Sequence, residues 1–135
     1  MVNENYSTNG PPTVQYNLAI FPRCLKKVFQ IDGVEQRFLS LLRQICEDNS
    51  FVLQNAAFGC NYCLFQVAVP PVYSPAEVAQ LVRTGTSGPL RREFAELSKI
   101  PSLWMRVFFA STDQTVSEET IRQFADKLKD TKKKE

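Results

Sequence analysis

The chain has 135 residues, 44% of them hydrophobic and ten of them phenylalanine, enough to bury one sizeable core and too few for two ordinary domains. Its 16 basic and 14 acidic residues leave a net charge of +2, so charge alone gives little reason to expect nucleic acid, and no apolar run approaches the ~20 residues of a membrane helix. Histidine is absent altogether, which excludes His-based general bases, Ser-His and Cys-His nucleophile pairs and nearly all catalytic zinc sites.

Residues 1–13 are polar, carry Pro11-Pro12 and lack the apolar region of a signal peptide, so they are expected to be a flexible arm on a soluble, cytoplasmic protein. Val14 to Phe21 alternates Val14, Tyr16, Leu18 and Ile20 as a half-buried strand does, and Pro22 ends it. The basic cluster Arg23-Cys24-Leu25-Lys26-Lys27 that follows reads as a solvated turn or as a phosphate site. After Gly33, the residues Val34, Phe38, Leu41, Leu42 and Ile45 fall on one stripe of an amphipathic helix that Asp48-Asn49-Ser50 ends.

Phe51 to Phe58 is expected to be a second strand, joined through Gly59-Cys60-Asn61 to the stretch that dominates the chain. In that stretch Tyr62, Leu64 and Gln66 alternate with Cys63, Phe65, Val67 and Val69, the pattern of a buried central strand, and Pro70-Pro71 stops its ladder. Cys60 and Cys63 match a CxxC spacing without a second pair. On a strand they point to opposite faces, so the pair could chelate a metal or act in redox chemistry only if Cys60 lay in the preceding turn; the reading preferred over that one is two reduced thiols in or near a core, with no metal or other cofactor.

Ser74-Pro75-Ala76-Glu77 has an N-cap serine, a proline at the first helical position and an acid in the first turn, and predicts a helix from Ala76 to about Arg83. Thr84 to Pro89 is expected to interrupt it and Leu90 to Leu97 to resume it. Trp104 to Ala110 reads as a further strand. Ser117-Glu118-Glu119-Thr120 opens a last helix with an apolar stripe of Ile121, Phe124, Ala125 and Leu128, and residues 131–135 form a disordered lysine-rich tail. One domain is therefore expected over residues 14–130. Its order is βαββαβ plus a C-terminal helix: an α+β, ferredoxin-like or RRM-like antiparallel sheet with helices on one face.

Tyr16-Asn17-Leu18-Ala19-Ile20-Phe21-Pro22-Arg23-Cys24-Leu25-Lys26-Lys27-Val28-Phe29 resembles the opening strand and basic turn of the small TnpA-type HUH tyrosine transposases of insertion sequences, the IS200-like superfamily. The Pro70-Pro71 stop with Ser74-Pro75, then Leu90-Arg91-Arg92-Glu93-Phe94, Leu103-Trp104, Phe109-Ala110-Ser111-Thr112 and Val116 to Ile121 keep that family's order. The resemblance spans residues 16–130.

The resemblance implies a chemistry of two metal-binding histidines flanking one residue on the central strand, a nucleophilic tyrosine on the last helix and a glutamine one turn later. Those positions fall here at Tyr62 and Leu64, at Phe124 and at Leu128. None can do the family's work, so the chain is expected not to be an enzyme. Tyr62 as a substitute nucleophile has no base or metal to activate it and reads instead as an aromatic packing residue.

The resemblance also implies a homodimer, sheets joined edge to edge with the last helix across the partner, and a face that meets single-stranded or hairpin nucleic acid, DNA or RNA. The turn after the second helix has a single cation. Candidate phosphate contacts are Arg23, Lys26, Lys27, Arg83, Arg91 and Arg92. The expectation is a catalytically inactive binder of structured single strands. The alternative is a dimeric interaction or scaffold protein that has lost nucleic acid.

Overall fold

The computed structural model describes residues 13–134, with side chains as far as Lys129. The expected arm, residues 1–13, therefore lies almost wholly outside the described residues, as do the side chains of the expected tail. The elements are β1 (Val14–Pro22), α1 (Val34–Asp48), β2 (Val52–Gly59), β3 (Tyr62–Val69), α2 (Pro75–Glu93), α3 (Ala95–Ser98), β4 (Trp104–Ser111) and α4 (Glu118–Lys134).

The four strands form one antiparallel sheet in the order β2-β3-β1-β4, so the two most apolar strands lie inside and β2 and β4 form the edges. Alternation along the strands sends Leu18, Ile20, Cys63, Phe65 and Val67 to one face. There they meet Val34, Phe38 and Leu42 of α1 and Val78, Val82 and Leu90 of α2. The other face carries Ala19, Phe21, Tyr62 and Leu64 against Ile121 and Ala125 of α4. The protein thus has three layers, with helices α1 and α2 on one side of the sheet and α4 on the other.

Local chemistry fixes the ends of the elements. Gly33 precedes α1 at φ +90°, a conformation that costs glycine little. The end of α1 is a Schellman turn: Phe51 N–H bonds to the Cys46 carbonyl at 2.8 Å and Ser50 N–H to the Glu47 carbonyl at 3.3 Å, with Ser50 left-handed at φ +61°. Helix α2 opens on a reciprocal cap in which the Ser74 hydroxyl accepts from Glu77 N–H at 3.1 Å and Glu77 accepts from Ser74 N–H at 2.8 Å. Ser117 caps α4 by accepting from Thr120 N–H at 3.2 Å.

The break expected at Thr84–Pro89 does not occur: α2 runs unbroken from Pro75 to Glu93, with Pro89 inside it. Tertiary packing overrides local preference here. Gly85 lets α1 come close, since a Cβ there would stand 2.6 Å from Ile45 Cδ1. The fully buried Thr86 donates its hydroxyl to the Val82 carbonyl at 2.7 Å and accepts from the Trp104 indole N–H at 2.9 Å. Pro89 forfeits one intrahelical bond and leaves the rest of the ladder intact. The helical character beyond it belongs partly to the separate single turn α3, which Phe94 divides from α2.

Candidate nucleic-acid interface

Pro22 ends β1, and the chain then turns through Cys24 at φ +62° and Leu25 at φ +52°. Two successive non-glycine residues in the left-handed region cost about 1–3 kcal/mol each and persist only where their surroundings hold them. Three contacts do so. Leu25 is buried with Phe21 and Ile121, Arg23 N–H bonds to the Leu103 carbonyl at 2.8 Å, and Phe29 N–H bonds to the Cys60 carbonyl at 3.1 Å. The turn walls a cavity of about 380 Å³ onto which Arg23, Lys26 and Lys27 face, together with Lys99 from the segment after α3.

The structure thus brings three of the six candidate cations to one cavity and adds Lys99, which local sequence signals do not single out. Among the described residues the ion pairs are Arg37 with Glu93, Arg122 with Glu119 and Lys129 with Asp126, so none neutralises those four. Arg83 stands elsewhere. Its guanidinium donates to the Met105 and Arg106 carbonyls at 3.3 and 2.5 Å and sits 5.5 Å above the Phe108 ring, where burial lowers its pKa. It ties α2 to edge strand β4. Arg91 and Arg92 occupy the last turn of α2 and do not line the cavity, and Arg91 Nε is buried without a hydrogen-bond partner.

On the opposite face, the four positions to which the resemblance gives catalytic roles come together. Tyr62 and Leu64 are buried beneath α4, and Phe124 and Leu128 pack against the same cluster. The Phe124 ring stacks on Phe21 at 5.6 Å and meets Phe109 edge-on at 5.5 Å. The Tyr62 hydroxyl donates to the Glu118 carboxylate, and its pKa is pushed up to about 12 by burial and by that carboxylate. This set does not fit Mg²⁺ or Mn²⁺, which want several oxygen or imidazole donors, because Leu64 and Leu128 offer none. No group of three His, Cys, Asp or Glu side chains suited to a metal comes together among the described residues.

Helix α4 lies on its own sheet, with Ile121 and Ala125 of its apolar stripe buried there and Phe124 and Leu128 packed beside them half-buried. A row of polar residues holds the connection from β4. Asn55, Gln66, Asn17 and Ser111 are successive register neighbours across all four strands. Asn17 donates to the Asp113 carbonyl at 2.5 Å and Gln66 to the Gln114 carbonyl at 2.7 Å, so two sheet amides clamp the linker that leads into α4. Strand alternation groups Gln66 with Tyr62 and Leu64, but sequence does not reveal the register that brings Asn17 beside it. Of the CxxC pair, Cys60 lies in the hairpin turn and Cys63 is fully buried with its pKa raised by burial.

No curated protein matches the chain in sequence. Among solved structures, a candidate transposase from Deinococcus radiodurans R1 superimposes with a TM-score of 0.72 at 18% identity, over 90% of this chain and 92% of that one. A REP-associated tyrosine transposase bound to a REP hairpin superimposes with a TM-score of 0.55 at 6% identity, over 81% of this chain and 61% of that one. At such identities the likeness is one of fold. Sequence carries the assignment further: the model of the family described as IS200-like transposase matches residues 12–127, from the start of β1 into α4, and the chain belongs to that family.

Proposed function

We propose that this protein is a catalytically inactive member of the IS200-like transposase family that binds structured single-stranded nucleic acid without cutting it. The observation that carries the first half is the packing of Tyr62, Leu64, Phe124 and Leu128 into one layer beneath α4. A phenol bonded to a carboxylate, two leucines and a phenyl ring supply neither a metal site nor a phosphate-attacking hydroxyl. The second half is supported by the cationic cavity at the β1 turn and by a fold relative described as bound to a REP hairpin.

A homodimer formed through a sheet edge belongs to the same reading. Edge strands β2 and β4 expose Val52 and Val107, and pairing would cover them. No helix among the described residues is long and apolar enough to cross a membrane, and the cytoplasm is the compartment that goes with this function.

The test is a mobility-shift titration with hairpin and unstructured single strands, run with Mg²⁺ or Mn²⁺ and followed by a denaturing gel. About four phosphate contacts predict a slope of log affinity against log salt of roughly −3 for single strands. Binding without a covalent adduct is expected. An adduct would overturn the inactive half, and absence of binding at low salt would leave the scaffold alternative in its place.

A further inference from the structure

We propose that the cavity behind the β1 turn is a nucleotide subsite: it takes one nucleotide of the bound strand, phosphate on its cations and base on its apolar floor. This deepens the nucleic-acid reading above and rests on it. The cavity sets Arg23, Lys26, Lys27 and Lys99 against a single carboxylate, Glu96, a local excess of positive charge larger than the +2 of the entire chain. No ion pair with another described residue discharges the four cations. An anion is therefore the ligand that the electrostatics favour.

Size and lining narrow the choice. A volume of about 380 Å³ is far larger than a lone phosphate and falls at the lower end of the range for small-molecule pockets. Ile31, Ile100 and Pro101 give it an apolar wall, which a free phosphate would not use and a nucleobase face would. The left-handed Cys24 and Leu25 carry the turn round so that Arg23 and Lys26 line the same cavity. Glu96 is the one acceptor-only side chain in a wall whose other charged groups are all donors. It selects bases that carry an exocyclic amino group, which can donate to it, over uracil or thymine, which present carbonyl oxygen there.

The experiment uses the full chain, isotopically labelled, titrated with the 5′-monophosphates of guanosine, adenosine, cytidine and uridine, with guanosine and with inorganic phosphate. Amide shifts of Lys26, Lys27 and Lys99 are followed, and hairpin and unstructured DNA binding is measured in parallel. The three amino-bearing nucleotides should shift those amides at concentrations at least about threefold below uridine monophosphate. Guanosine and phosphate should each be weaker than guanosine monophosphate. Lys99→Glu should weaken nucleotide binding by about tenfold or more, the scale of losing one charged hydrogen bond, and Glu96→Gln should erase the preference among bases while retaining phosphate affinity. Both positions are exposed, and an unchanged amide spectrum elsewhere verifies the fold.

If DNA binds but nucleotides leave those amides unmoved, or phosphate alone binds as well as a nucleotide, the subsite is refuted while the nucleic-acid reading stands. If nucleotides bind there and DNA does not, the nucleic-acid reading fails and the cavity serves a free nucleotide.

Discussion

Phe21 on β1 and Phe124 on α4 stack with ring centroids 5.6 Å apart and planes 27° from parallel. The contact joins the sheet to its outer helix at the position that the family resemblance gives to the nucleophile. Phe124→Tyr should therefore keep the packing, shift stability by less than about 1 kcal/mol and still yield no protein–DNA adduct, because Tyr62 and Leu64 supply no metal site. Phe124→Ala should cost about 2 kcal/mol in denaturant unfolding, below the full range for a core phenylalanine because the ring is only half-buried. A labelled single strand that became covalently attached to the tyrosine variant would contradict the first expectation.

Trp104 and Thr86 give a second test. The hydroxyl accepts from the indole while donating to Val82, so one buried oxygen joins β4 to the middle of α2. Thr86→Val keeps the shape and strips the indole N–H of its partner, at an expected cost of about 1–3 kcal/mol in chemical denaturation, and Thr86→Ser should recover most of it. Equal stability of the valine variant would mean that α2 does not depend on this bond to pass Thr84–Pro89.

Ser50 should be improvable. It occupies the left-handed position of a Schellman turn at φ +61°, which glycine fills without steric cost. Ser50→Gly is expected to raise stability by about 0.5–1 kcal/mol, visible as a higher denaturation midpoint at unchanged slope. A lower midpoint would show that the serine side chain contributes more than its backbone strain removes.

Alkaline titration should single out Tyr62. Burial and then the neighbouring Glu118 raise its pKa to about 12 in the folded chain, against about 10 for an unfolded tyrosine. The folded state holds the proton more tightly, so this contribution is complete below pH 10 and is lost as pH rises toward 12. Cys46, raised to about 11 by burial, and Cys63, also raised, lose stability over an overlapping alkaline span, so the comparison must be with Tyr62→Phe. The wild type should fall more steeply than Tyr62→Phe between pH 10 and 12. Parallel curves would place the Tyr62 phenol in contact with water.

The order of elements was legible because its signals are local. Pro22, Gly33, Ser74-Pro75 and Ser117 each act on their own turn of chain, and alternation along Tyr62–Val69 declares two faces without help from elsewhere. Thr84 to Pro89 misled because glycine, proline and β-branched residues oppose helix locally, whereas the forces that hold α2 come from Ile45 and Trp104 on other elements. Lys99 escaped for the same reason: only the tertiary fold carries it to Arg23 and Lys26. Arg83, Arg91 and Arg92 stand apart from that cavity, because where a guanidinium ends depends on which carbonyls and rings lie within reach. The last helix was legible as a helix, while the surface it covers was not, since an apolar stripe fits a partner's sheet and its own equally well.

On the inactive reading proposed above, the layer beneath α4 works as a ratchet against return to the family's chemistry. Leu64→His alone would set an imidazole in the layer formed by Ala19, Phe21 and Ile121, where an unsatisfied polar group costs about 1–3 kcal/mol, before any metal could repay it. Tyr62→His would also strip Glu118 of its phenol partner. On that reading each single step back is a loss, and only several changes made together, with the helix loosened to admit them, would open a working site.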